Sequence, residues 1–169
     1  EEGFTVEMGK QKDRARAAVK DESWNSFGNI YAELIAKIAP TDFVGYAHNE
    51  VEAEITAIIV DGQQVQSVSA NTSAEIFLDQ TPFYGEQGGQ VGDIGLISGP
   101  NDSEFMVSDT KIRSKVLNGH LGRVQKGELA VGQKVHAAID VQRRERIRRN
   151  HTATHLLHWA LRKVVGTHA

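Results

Sequence analysis

The stretch Val51-Glu52-Ala53-Glu54-Ile55-Thr56-Ala57-Ile58-Ile59-Val60-Asp61-Gly62 decides the fold. Val51, Ala53, Ile55, Ala57 and Ile59 alternate with Glu52, Glu54 and Thr56. A period of two sends successive side chains to opposite faces, so the run reads as a half-buried strand with its apolar set on one side. Asp61-Gly62 follows at once and tolerates the positive φ angles of a tight hairpin.

Outward from this hairpin, strand patterns recur over Val65–Ser69, Ala74–Leu78, Ile94–Ser98, Phe105–Ile112, Leu121–Val124 and Lys134–Ile139. Gly99-Pro100-Asn101-Asp102 and Asn118-Gly119 are predicted turns, and a glycine-rich loop interrupts the pattern at Thr81–Gln90. Short strands at this spacing predict a barrel or sandwich and not a parallel sheet. Before them, residues 4–20 are rich in helix formers, and Ile30, Leu34, Ile35 and Ile38 recur at helical spacing, with Pro40 beyond to stop the helix. After them, Asp140 is placed to cap a long helix ending near Val165, and Gly166 stands where a C-terminal glycine belongs. The expectation is an α+β chain: an antiparallel β-barrel over residues 41–139, preceded by helices in 1–40 and followed by a long helix in 140–169.

Composition narrows the function. Apolar residues make up 40% of the 169, too many for a disordered chain, yet no apolar run approaches the ~20 residues of a membrane span. Glu1-Glu2-Gly3-Phe4 has neither the basic start nor the apolar stretch of a signal peptide. The lack of cysteine excludes disulfides, thiol nucleophiles and Cys-held metal within this chain and suits a cytoplasmic setting. The chain begins without Met in a charged run and stops just after its last helix, so it reads as a piece of something longer. Its charge is uneven: Asp140 to Lys163 carries seven basic and two acidic residues, +5 within a chain of net −3. A basic element on an acidic body marks either a polyanion contact or a solvated helix face.

That basic helix contains His151-Thr152-Ala153-Thr154-His155. Histidines at i and i+4 stand one above the other, close enough to share one metal ion. On a wheel of 100° per residue, His151, His155 and His158 share a stripe with Arg144, Arg148 and Arg162. Ala153, Leu157, Ala160, Leu161 and Val164 form a separate face, expected to pack. Two imidazoles do not complete a zinc site, which takes four protein ligands, or three and a water. His158, His48, His120 and His136 are candidates for the rest; the simplest expectation places the missing ligands beyond Ala169.

Arg148-Arg149-Asn150-His151-Thr152-Ala153-Thr154-His155-Leu156-Leu157-His158 resembles the first metal motif of the editing domain of the alanyl-tRNA synthetases. Leu78-Asp79-Gln80-Thr81-Pro82-Phe83-Tyr84-Gly85-Glu86-Gln87-Gly88-Gly89-Gln90-Val91-Gly92-Asp93 resembles the glycine-rich segment of that domain's barrel, and residues 4–38 the helical linker before it. The resemblance implies an enzyme that charges tRNA(Ala) with alanine using ATP and Mg2+, and an editing site that hydrolyses Ser-tRNA(Ala) and Gly-tRNA(Ala). It implies Zn2+ held by His151 and His155 together with a later Cys-xxx-His pair. This chain has no cysteine, so it offers half of that site; it also lacks the ATP-using core. Neither activity is expected to be complete here.

Within that frame, Thr154 is the candidate for specificity toward the seryl hydroxyl, and Gly88, Gly89, Gln90 and Asp93 are candidate substrate contacts at the pocket mouth. Arg144, Arg148 and Arg149 are candidates for the tRNA acceptor end, in competition with structural pairing to the barrel's carboxylates. The implied partners are tRNA(Ala) and the remainder of the synthetase chain, with self-association through an uncovered face also expected. A stand-alone deacylase and a non-catalytic RNA-binding module remain the alternatives.

Overall fold

The protein is described by a computed structural model over residues 30–166. The helix predicted over residues 4–20, and most of the 1–40 segment, lie outside the described residues. The strands are β1 (Asp42–Phe43), β2 (Glu50–Val60), β3 (Gln63–Val65), β4 (Ser67–Ser69), β5 (Ser73–Leu78), β6 (Gln80–Thr81), β7 (Gly95–Ser98), β8 (Glu104–Arg113), β9 (Leu117–Lys126), β10 (Glu128–Ala130) and β11 (Lys134–Ile139). Helix α1 covers residues 30–35 and α2 covers Val141–Val164.

β2, β5, β9, β8, β7 and β11 lie side by side, each antiparallel to the next, and β11 returns to β2. The sheet closes into a six-stranded barrel, which leaves these strands no free edge. Short pairs sit around it: β3 extends the β2 hairpin, β4 pairs with β10, and β1 runs parallel to β6. Asp61 and Gly62, with φ of 48° and 74°, form the predicted hairpin turn.

The alternation expected of β2 holds only to Ile55. The register shifts between Ile55 and Ala57, leaving Thr56 as a bulge whose hydroxyl is buried without a partner. Beyond the bulge the faces exchange. Ala53, Ile55 and Ile58 fill the barrel with Ile76, Leu78, Phe83, Ile97 and Phe105. Ala57 and Ile59 instead join Phe77, Leu117 and Leu34 in a second cluster, where Ile30, Tyr31, Ile35 and Ile38 of the α1 region pack. One strand thus serves two cores.

Two sequence expectations need correction. Val65–Ser69 is not one strand: Val65 pairs with Ile58, whereas Ser67–Ser69 pairs with Glu128–Ala130. Asn118-Gly119 is not a turn but lies inside β9, and the chain reverses at Ser114 and Lys115 (φ 46° and 70°). Gly119 sits in the sheet because a side chain there would collide: an added Cβ would lie 1.9 Å from Glu75 Oε1. Glu75 needs that space, since its buried carboxylate is held there by the Tyr31 hydroxyl (2.6 Å) and Arg113 Nε (2.7 Å).

Candidate functional site

The site begins at the foot of α2. Asp140 caps the helix by accepting from the Arg143 amide at 2.9 Å, as its sequence position predicts. Arg143 Nη1 donates to Gly92 O at 2.7 Å. Arg144 turns inward and is 7% exposed, its guanidinium donating to Gly45 O (2.7 Å), to Pro82 O and to the carboxylate of Asp93. Asp93 is 1% exposed and also accepts from the Tyr84 amide at 2.8 Å. A buried ion pair survives only when its remaining donors and acceptors are met, as they are here.

Asp93, the candidate substrate contact, and Arg144, the candidate tRNA contact, are each other's partners, which for Arg144 is the structural pairing with the barrel's carboxylates that the sequence also offers. The wheel places Arg144 at the azimuth of His151 and His155, but at the helix foot that side faces the barrel. Arg148 and Arg149, one turn further on, are exposed, with Arg148 Nη1 donating to Glu145 at 3.0 Å.

The glycine-rich loop folds back on itself. Gln87 and Gln90 exchange backbone hydrogen bonds (3.3 and 3.0 Å) around Gly88 and Gly89, whose φ angles are 59° and 79°. Glycine adopts two successive positive φ angles without the steric cost that a Cβ brings. An added Cβ at either glycine would meet nothing within 4 Å, so this tip is open. Gln90 is half-buried beside it.

Along α2, His151 and His155 are both exposed, with ring centroids 4.6 Å apart and Nε2 atoms 2.9 Å apart. That is a ring-to-ring hydrogen bond. A tetrahedral ion with bonds of ~2.0–2.1 Å would hold the two nitrogens roughly 3.3 Å apart, a small adjustment of two surface rotamers. The imidazole pair therefore fits zinc in donor type and geometry, as two of its ligands. Among the described residues no group of three or more His, Cys, Asp or Glu gathers to complete a site. His136 is held between Glu52 (2.8 Å) and Glu50 (3.5 Å) on the barrel wall. His120 is fully buried: Nδ1 donates to Ile76 O, Nε2 accepts from the Thr81 hydroxyl (both 2.8 Å), and burial lowers its pKa to about 4. Both are occupied elsewhere. Thr154 is exposed, and its hydroxyl donates to Asn150 O at 2.9 Å.

The apolar face of α2 does not pack as the wheel predicts. Leu157 and Leu161 are 60% and 42% exposed, Leu156 and Trp159 both 62%, and Val164 is open as well. Only the first turns of α2 meet the barrel, and no other element among the described residues lies against the rest. Sequence reasoning also passed over Tyr46, an aromatic side chain 89% exposed on the turn that Arg144 holds. The signal available was local: Phe43 and Tyr46 flank Gly45 in a short run between two predicted elements.

The family model that matches this chain, over residues 1–143, is that of the tRNA synthetases class II (A), which places the chain in that class. Alanine–tRNA ligase of Granulibacter bethesdensis is 43% identical over 166 residues, 98% of this chain and 19% of that relative. The chain belongs to the alanyl-tRNA synthetase family and spans about one-fifth (19%) of the length of that curated relative.

Proposed function

We propose that the chain forms part of an editing site that hydrolyses Ser-tRNA(Ala) and Gly-tRNA(Ala), within an enzyme that joins alanine to tRNA(Ala) using ATP and Mg2+. The observation that carries this reading is the pair of exposed imidazoles, Nε2 to Nε2 at 2.9 Å, on a helix whose foot is locked to the glycine-rich loop. His151 and His155 would hold Zn2+, which when bound supplies Lewis-acid polarisation and orientation of the ester.

The chain's own residues supply the rest. Thr154 keeps its hydroxyl proton on Asn150 O, so its oxygen accepts. That selects a substrate able to donate, as the seryl hydroxyl does. Arg148 and Arg149 attract the phosphates of the acceptor end, a contact that gives affinity and salt dependence but no sequence reading. Gly88, Gly89 and Gln90 form an open rim that lets a ligand approach the backbone closely. The uncovered apolar face of α2 is a seat for the remainder of the synthetase chain; in its absence it is a self-association surface. A tRNA substrate suits a cytoplasmic enzyme.

The test is a protein in which this sequence continues past Ala169 through a Cys-xxx-His pair. It is expected to bind one zinc and to deacylate Ser-tRNA(Ala), and His151→Ala with His155→Ala is expected to abolish both. Undiminished hydrolysis in that double variant would reject the metal-site assignment. RNA binding with no hydrolysis in the parent protein would reduce the reading to a binding module.

A further inference from the structure

We infer that Tyr46 is a stacking platform for one unpaired base of the RNA, beside the foot of α2; the inference rests on the RNA-directed reading above. Nearly nine-tenths of the Tyr46 surface is open. An isolated exposed aromatic is ordinary, but this one is built into a fixed frame. Its turn is closed by the Ala47 and His48 amides, both donating to Val44 O at 3.1 Å. Val44 N in turn donates to Thr81 O (3.0 Å), and the buried Arg144 holds Gly45 O (2.7 Å). Phe43 supports the Tyr46 ring edge-on at 5.1 Å and 79°, and Tyr84 stands behind Phe43 at 6.0 Å. A perpendicular contact of this kind steadies the ring, and its 89% exposure leaves it open to a ligand.

The chemistry beside the ring suits a nucleotide. Phe43, which touches Tyr46, also lines a cleft of about 350 Å³ with Tyr84, Gln87, Asn118 and Lys115; Tyr46 itself stands outside that lining. Lys115 is exposed on the β8–β9 turn and forms no ion pair among the described residues, which leaves its ammonium for a phosphate. Aromatic faces accept any base by stacking, with a basic side chain tracking the backbone; that is how single strands are held without sequence preference. Position agrees as well. Arg144 touches Gly45, the neighbour of Tyr46, and His151 lies seven residues further along α2, about 10 Å at 1.5 Å per residue. The turn that carries Tyr46 and the helix that carries the imidazole pair are thus joined at the Arg144 contact.

The test is binding of a single-stranded RNA octamer to this chain, read by fluorescence anisotropy across a salt series. Tyr46→Ala is expected to weaken binding about 5- to 150-fold with an unchanged salt slope, and Tyr46→Trp to bind at least as tightly as the parent. Lys115→Ala is expected to lower the slope by about 0.7. An octamer with abasic sugars should bind the parent and Tyr46→Ala alike. Tyr46→Ala matching the parent on the intact octamer would overturn the platform and leave the RNA reading in place. Loss in Tyr46→Ala that Tyr46→Trp fails to restore would overturn it too. No binding by the parent at any salt concentration would overturn both.

Discussion

Arg144 Nε lies 3.0 Å from Asp93 Oδ2, joining residues 51 positions apart, and the same guanidinium reaches Gly45 O and Pro82 O. One buried cation therefore ties together the glycine-rich loop, the turn that carries Tyr46 and the first turns of α2. Together with the Arg143 bond to Gly92 O and the Asp140 amide bond to Ile94 O, this clasp sets which way the helix leaves the barrel.

Removing either partner leaves the other charge buried and unpaired. Arg144→Ala or Asp93→Ala is expected to lower stability by about 3–5 kcal/mol. The double variant should cost less than the two single losses together, by about 1–3 kcal/mol. Urea unfolding of the four proteins measures both quantities.

His120 makes stability depend on pH. Its pKa falls from 6.5 to about 4 because burial disfavours the imidazolium. Between those values the unfolded chain binds the proton and the folded chain does not, so acid favours unfolding. The contribution is whole above pH 6.5 and shrinks as pH falls toward 4, by about 3 kcal/mol in total. His120→Leu should be less stable at pH 7 by about 1–3 kcal/mol, since the Thr81 hydroxyl and Ile76 O lose their partner. It should also lose less on acidification. Unfolding curves at pH 7, 5.5 and 4 give the comparison.

The glycines of the loop divide by surroundings. An added Cβ at Gly88 meets nothing, so Gly88→Ala carries only the strain of its positive φ, about 1–2 kcal/mol. At Gly92 the Cβ would lie 2.1 Å from Thr110 O, which is backbone and has little room to yield. Gly92→Ala should cost more than Gly88→Ala in the same unfolding assay and should loosen the neighbouring Asp93–Arg144 clasp.

His151 and His155 should behave oppositely to Arg144. Both are exposed on a helix, so replacing both with alanine should move the stability of this chain by no more than about 0.5 kcal/mol. A large loss of stability on thermal unfolding would mean that the imidazoles hold the fold together and do not wait for a ligand.

Much of this architecture was legible locally. The Asp61-Gly62 hairpin, the Lys134–Ile139 strand, the Asp140 cap and the i, i+4 histidine pair each follow from a few neighbouring residues. The bulge at Thr56 was not legible, because it depends on the register that β5 imposes on β2. Asn118-Gly119 has the composition of a turn, yet it is strand, since Gly119 answers to Glu75 from β5.

The sequence by itself determined the barrel's strands, the long basic helix and the pairing of two imidazoles, since period, capping and helical spacing are properties of adjacent residues. Only the tertiary structure decided that Arg144 and Asp93 are spent on each other, that β2 feeds two cores, and that Tyr46 stands open beside the helix. Burial and partnership belong to residues brought together from distant parts of the chain, and no local pattern encodes which ones meet.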